Sequence, residues 1–226
     1  MYQIKKNQKN LEKHELRKEN DMKNIKMISI TGGTCAGKTE TFNKLKEVLG
    51  YEYDGVSIIY IPESGTEMMQ RGISPLEGNL EEEFQAINLE NQLSREALCK
   101  KAASKMKKNN ILIICDRTSY EQQVFVSKEE WDKILKDMNL TNDFLMNSYD
   151  AIFHLVSTAI GAEAAYGMVT NANRYHTLEQ AREQELFAQK LWLNHKNFKM
   201  YPNNCSFETK RERVVNDVVN FIKENY

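Results

Sequence analysis

The sequence predicts a three-layer α/β protein, a doubly wound parallel sheet of about five strands with helices on both faces and a lid segment. Three observations carry this. Gly32-Gly33-Thr34-Cys35-Ala36-Gly37-Lys38-Thr39 fits G-x-x-x-x-G-K-[ST] at every fixed position. An apolar run precedes it and an amphipathic segment follows, the strand–loop–helix context of the phosphate-binding P-loop. Apolar runs then alternate with helical patterns to the end of the chain, as parallel strands and their crossover helices must. The expected architecture is therefore the P-loop NTPase fold.

Residues 26–31 read as the first strand and residues 38–49 as a helix with Phe42, Leu45, Val48 and Leu49 on one face. A second strand, 57–63, ends in Pro62-Glu63, and a short helix follows over 66–71. A loop over 72–79 leads to a long helix, about 80–107, capped by Asn79 and carrying Phe84, Ile87, Leu93, Ala97 and Leu98 as apolar positions. Ile111, Leu112, Ile113, Ile114 and Cys115 form a continuous apolar run, which suits a strand covered on both faces. A helix over 128–138 and a fourth strand over 151–156 come next. The helix at 177–195 is amphipathic, with Leu186, Phe187, Leu191 and Trp192 on its apolar side. A short strand at 198–201 and a helix at 208–224, with Val214, Val215, Val218, Val219 and Ile222 facing in, close the domain.

At 226 residues the chain has room for one sizeable α/β domain. The expected division is a polar, lysine-rich extension over 1–24 and the domain proper over 25–226. The formal net charge of -1 gives no indication of a large nucleic-acid surface. No apolar run is long enough to span a bilayer, and the N-terminus lacks the apolar core of a signal peptide. Cys35, Cys99, Cys115 and Cys205 are scattered with no C-x-x-C pair, so they read as reduced thiols of a cytoplasmic protein.

The P-loop names the chemistry. Its glycines turn backbone N–H groups toward phosphate oxygens, and the helix start adds its dipole. Gly32, Gly33, Thr34, Cys35, Ala36, Gly37, Lys38 and Thr39 are the candidate nucleotide-binding residues, with Lys38 on the β/γ-phosphates and the Thr39 hydroxyl on Mg²⁺. In a parallel sheet the strand ends share one edge, so Glu63, Asp116 and Arg117 should converge there. Asp116 fits the Walker B carboxylate that holds Mg²⁺, or else a loop cap. Glu63 is a candidate to orient an acceptor hydroxyl and take its proton, or else a capping residue, with Glu67 its fallback. Arg117 would neutralise charge on the transferring group or form a salt bridge. The segment 161–182 resembles a basic lid, holding Glu163, Tyr166, Asn171, Asn173, Arg174, Tyr175, His176 and Arg182. Arg174 and Arg182 would complete the site on closure. Asn203 and Asn204 are the candidates near the base. His154, inside an apolar strand, reads as a satisfied core histidine, and His14, His176 and His195 form no ligand or triad pattern.

The signatures of a Ras-like GTPase are absent: there is no D-x-x-G, and Asn43-Lys44-Leu45-Lys46 fails N-K-x-D at its last position. A ring-forming motor would carry Asp-Glu where this chain has Asp116-Arg117. With those residues in hand, the chain resembles the small stand-alone "AAA domain" ATP-binding proteins. The resemblance rests on the P-loop with Cys35, on Pro62-Glu63, Cys115-Asp116-Arg117, His154-Leu155-Val156, Gly161-Ala162-Glu163, Asn173-Arg174, Glu179-x-Ala181-Arg182 and Trp192-Leu193-Asn194-His195. Similar proteins include bacterial kinase-like members and a eukaryotic relative implicated in GTP and phosphoinositide binding. The family often has Gly after Asp-Arg and an aspartate a few residues on. This chain has Thr118, then Tyr120-Glu121, with Glu121 the candidate substitute.

The resulting expectation is a Mg²⁺-dependent phosphotransferase of nucleoside- or nucleotide-kinase type, using ATP or GTP on an unknown small-molecule acceptor. The alternative is a slow, nucleotide-dependent binding module that docks on a phosphoinositide or protein partner, aided by the lysine-rich N-terminus.

Overall fold

The computed structural model describes residues 23–75, 80, 83–166 and 177–226. Residues 1–22 of the expected N-terminal extension, Asn79, and the lid residues Asn171, Asn173, Arg174, Tyr175 and His176 lie outside them. A mixed sheet of six mostly parallel strands forms the centre. It comprises β1 (Asn24–Gly32), β2 (Glu52–Tyr53), β3 (Val56–Ile61), β4 (Asn110–Asp116), β5 (Ala151–Leu155) and β6 (Phe198–Tyr201). The spatial order is β2-β3-β4-β1-β5-β6. The five expected parallel strands are present. The sixth, β2, is a two-residue antiparallel addition paired to β3 across the turn that holds Asp54 and Gly55, both at positive φ.

The helices are α1 (Lys38–Leu49), α2 (Ser64–Gln70), α3 (Phe84–Lys105), α4 (Lys128–Asp137), α5 (Asn142–Met146), α6 (Glu163–Tyr166), α7 (Leu178–Trp192) and α8 (Phe207–Asn225), with a 3-10 turn at Tyr120–Phe125. Local chemistry sets several starts. Ser127 and Thr177 form capping boxes with Glu130 and Gln180, and the Ser206 side chain accepts from Thr209 N.

Strand alternation divides the core in two. Ile28 and Ile30 of β1, with Leu112 and Ile114 of β4, pack on Phe42, Leu45 and Leu49 of α1 and on Val214, Val218 and Ile222 of α8. Met27, Ile111, Ile113 and Cys115 face the other way, onto Leu89 of α3, Trp131 of α4 and Trp192 of α7. At about 25 cal/mol per Å² of apolar surface, each of these wholly buried side chains contributes roughly 1.5–3 kcal/mol of transfer free energy.

Two helices turn differently from the expected pattern. α7 buries Ala181, Glu185, Ala188 and Trp192, while Leu186 and Phe187 are exposed. α3 buries Phe84, Asn88, Leu89, Gln92, Glu96 and Ala103, while Leu98 is 66% exposed. On both, polar side chains face inward because each finds a hydrogen-bond partner there.

Candidate active site

The loop after β1 is shaped by steric necessity. Gly32 adopts φ 139°, and a Cβ there would lie 2.1 Å from the Leu155 carbonyl oxygen. Gly37 adopts φ 87°, with the Phe207 ring 2.1 Å from where a Cβ would be. Cys35 takes a left-handed φ of 60° without being glycine. Lys38 opens α1 and folds back across the loop, its Nζ donating to the Gly33 carbonyl at 2.7 Å. Burial lowers its pKa to about 8, and the nearby Arg117 guanidinium adds to that. Thr39 is exposed in the first turn of α1.

The next two strand ends deliver the charges. Glu63 follows β3 at the start of α2, and Asp116 ends β4. Arg117 takes φ 69°, a left-handed conformation costing roughly 1 kcal/mol in a non-glycine residue. Its N–H donates to the Ile30 carbonyl at 3.0 Å, and its own carbonyl accepts from Ser29 Oγ at 2.8 Å. Arg117 Nε donates to Glu63 Oε1 in a largely buried ion pair, and Thr66 Oγ1 donates to Glu63 Oε2 at 2.8 Å. Burial alone would raise the Glu63 pKa. Arg117, Lys38 and the hydrogen bonds outweigh it and hold the carboxylate at about 2. Asp116 has the opposite balance. Burial and the neighbouring Glu63 raise its pKa to about 6. Its Oδ1 is buried without a hydrogen-bond partner. A hard cation would satisfy that oxygen, so Asp116 with the Thr39 hydroxyl fits a Mg²⁺ site.

Beside the loop lies a small, partly open cleft. Gly32, Gly33 and Thr34 form one side. Arg117 faces it from the β4 end, Glu121, Val124 and Phe125 from the 3-10 turn, and Gln184 and Ala188 from α7. Glu121 Oε1 accepts from Trp192 Nε1 at 2.9 Å, while Oε2 is buried without a partner. Below the turn, Ser64 Oγ donates to Asn88 Oδ1 at 2.7 Å, and Asn88 Nδ2 donates to Gln122 Oε1 at 2.8 Å. Tyr149 Oη donates to Glu96 Oε1 at 2.6 Å, and burial raises the pKa of that carboxyl.

A third carboxylate holds the P-loop from behind. Glu185 is fully buried on α7. Its Oε2 accepts from Gly33 N at 2.9 Å and from Ser157 N at 3.1 Å, and its Oε1 lies 2.7 Å from His154 Nε2. Burial opposes its charge, yet His154 and the other donors hold its pKa at about 2. His154 Nδ1 meets Thr31 Oγ1 at 2.9 Å, so the histidine is the satisfied core residue that its strand suggests. Nothing in the α7 sequence marks Glu185 as different from its solvated neighbours. The one available signal was a histidine in an apolar strand, which demands a polar partner.

Of the remaining expected residues, Glu67 pairs with Arg71 and Arg95. Arg182 Nε donates to the Ala159 carbonyl at 2.8 Å, and Nη2 pairs with Glu163 at 3.1 Å. It braces the chain after β5. Asn203 lies against the same loop. Its amide donates to the Ser157 and Ile160 carbonyls at 2.8 and 2.7 Å, and its oxygen accepts from Lys210 Nζ at 2.7 Å. Asn203 thereby supplies donors to the carbonyls of the turn after β5 and ties it to α8.

Fold and phosphate loop together define a nucleotide-binding P-loop protein. A family model described as "AAA domain" matches residues 27–210, and the chain belongs to that family. A search of curated proteins finds no significant match. Among solved structures, the fold is similar to deoxyadenosine kinase from M. mycoides, solved with the product dCMP and a flexible dCDP bound. The TM-score is 0.56 at 15% identity, over 86% of this chain and 99% of that one. No helix among the described residues is long and apolar enough to cross a membrane.

Proposed function

We propose that the protein is a Mg²⁺-dependent phosphotransferase that moves the γ-phosphoryl group of ATP or GTP to a hydroxyl of a small molecule. The observation that carries this is the Glu63–Arg117 pair, whose arginine lines the cleft beside the phosphate loop. A hydrolase needs a group to polarise water, and the residue after Asp116 is an arginine instead. The kinase-like fold, shared with a protein named as a deoxyadenosine kinase, supports the same reading.

In this reading Lys38 and the loop amides hold the phosphates, and Asp116 with Thr39 hold Mg²⁺. Held there, Mg²⁺ would supply charge stabilisation to the phosphoryl oxygens. Glu63 accepts a hydrogen bond from the acceptor hydroxyl and fixes its lone pair toward the γ-phosphorus. That oxygen forms the new P–O bond as the bond to the β-phosphate oxygen breaks, and the hydroxyl proton passes to Glu63. A carboxylate with pKa about 2 holds a proton poorly, so orientation is its larger part and proton uptake comes late. Arg117, already beside Glu63, stabilises the phosphoryl charge. Arg174 and Arg182 are kept as lid candidates.

The test incubates purified protein with Mg²⁺ and ATP or GTP, first alone and then with pooled nucleosides, nucleotides, vitamins and phosphoinositides. Products are followed by mass spectrometry. A new phosphorylated species that disappears with Lys38→Ala and Glu63→Gln is expected. Tight nucleotide binding, with slow phosphate release that no acceptor changes, would leave the nucleotide-dependent binding module.

A further inference from the structure

The cleft beside the P-loop carries a second message, in the charge of its walls. Glu121 is 4% exposed and sits where the 3-10 turn meets α7. One of its oxygens is satisfied by Trp192, and His154 Nδ1 lies 3.9 Å from that same oxygen. The other oxygen, Oε2, has no partner although solvent does not reach it. A buried carboxylate oxygen left unpaired costs more than a typical hydrogen bond contributes, so such an atom implies a donor that arrives from outside. Arg117, the cation on the same cleft, is already paired with Glu63. Facing Glu121 are the half-buried Val124 and Phe125 and the buried Ala188, which offer an apolar wall and one aromatic ring.

We infer that this cleft seats the phosphoryl acceptor and takes an uncharged or cationic hydroxyl compound with a flat apolar face, one N–H or O–H of which satisfies Glu121 Oε2. This rests on the phosphotransferase reading of the same site. An acceptor already bearing a phosphate would bring an anion against the Glu121 carboxylate in a poorly solvated place, where like charges repel, while the nearby Arg117 and Lys38 are shared with Glu63 and the nucleotide phosphates. Glu121 is thus a specificity residue. It selects free alcohols over their phosphate esters, nucleosides over nucleotides, and works against a phosphoinositide at this position.

The test measures binding, so it does not depend on transfer. The full chain with Mg²⁺ and AMP-PNP is titrated calorimetrically with matched pairs of compounds, each with and without its phosphate: adenosine, guanosine, cytidine, uridine, nicotinamide riboside, thiamine and pyridoxine. At least one free alcohol should bind about tenfold or more tighter than its phosphate ester. Glu121→Gln presents an amide N–H where an acceptor is needed. It should weaken that compound about tenfold while the AMP-PNP affinity, measured in parallel as a check on folding, changes less than twofold. The wild-type preference needs no variant and stands if Glu121→Gln fails to fold. Equal or tighter binding of the phosphate esters, no binding of any free alcohol, or indifference to Glu121→Gln would each overturn the assignment. Binding as expected without product from ATP would sink the kinase reading and leave the cleft assignment standing. Transfer to a phosphorylated acceptor would do the reverse.

Discussion

Glu63 and Arg117 stand 54 residues apart in sequence and meet as a largely buried ion pair at the carboxyl edge of the sheet. Adjacent parallel strands bring them there. β3 and β4 run in register with Ile61 opposite Cys115, so the residues just past each strand are neighbours. The left-handed backbone at Arg117 turns its guanidinium sideways onto Glu63. The pair is one functional unit and should fail as one.

Arg117→Met removes the cation that holds Glu63 ionised. We expect phosphoryl transfer to fall about a thousandfold, the scale of a lost transition-state arginine, with a much smaller change in ATP affinity. Glu63→Gln should lower kcat about a hundredfold and leave ATP binding intact. Single-turnover rates alongside nucleotide titrations separate the two effects. The pH dependence of stability has a definite sign. With its folded pKa depressed to about 2, Glu63 contributes stability that is full above its ordinary pKa and lost as pH falls toward 2. Acid unfolding should therefore be shallower in Glu63→Gln.

Asp116 has the reverse sign. Its folded pKa is raised to about 6, so the stability linked to its proton is present at low pH and lost as pH rises through 6. Asp116→Asn should raise the melting midpoint of the free protein at pH 8 and leave it nearly unchanged at pH 4. The difference is on the order of 2–3 kcal/mol at most. The same variant should no longer gain stability from Mg²⁺ with nucleotide. Thermal melts at the two pH values, with and without Mg²⁺-ADP, decide it.

Lys38 closes the pH window from the other side. Its pKa of about 8 means that the free protein loses the loop cation as pH rises past that value. Affinity for Mg²⁺-ATP should therefore rise through about 6, as Asp116 ionises, and fall above about 8. Lys38→Ala should weaken ATP binding roughly tenfold to a hundredfold and remove the alkaline limb. A flat profile above pH 8 in the wild type would mean that Lys38 keeps its proton in the free protein.

The phosphate loop, the five parallel strands and the charges at their ends were legible because each rests on a local pattern. Lys38, Asp116 and Arg117 belong to motifs, and the run ending in Cys115 suits a covered strand. The inward faces of α3 and α7 were not legible. Amphipathicity assigns Leu98, Leu186 and Phe187 to the core, and the structure exposes them and buries Glu96 and Glu185 instead. Both helices flank the site and bury polar groups whose partners lie far off in sequence: Glu96 with Tyr149, and Glu185 with His154 and Gly33. A pattern along one helix carries no record of such partners.

That reversal supplies a prediction the motif alone would not make. Gly33 is a variable position of the P-loop pattern, so sequence logic tolerates any small residue there. In the structure a Cβ at Gly33 would lie 2.5 Å from Glu185 Oε2 and 3.0 Å from Ser157 Cβ. Glu185 has no room to yield, since its carboxylate is tied to Gly33 N, Ser157 N, His154 and Gln189. Gly33→Ala should therefore displace the loop and weaken ATP binding about tenfold or more. Glu185→Gln keeps the shape but turns one acceptor into a donor facing N–H groups or His154, a mismatch costing roughly 2–3 kcal/mol. Because both changes break the same contact, their effects on stability should fall short of additive by 0.5 kcal/mol or more. A double-mutant cycle by chemical denaturation, with ATP titrations of each variant, measures this. Wild-type ATP affinity in Gly33→Ala, together with simple additivity, would show that the P-loop holds its shape without the carboxylate behind it.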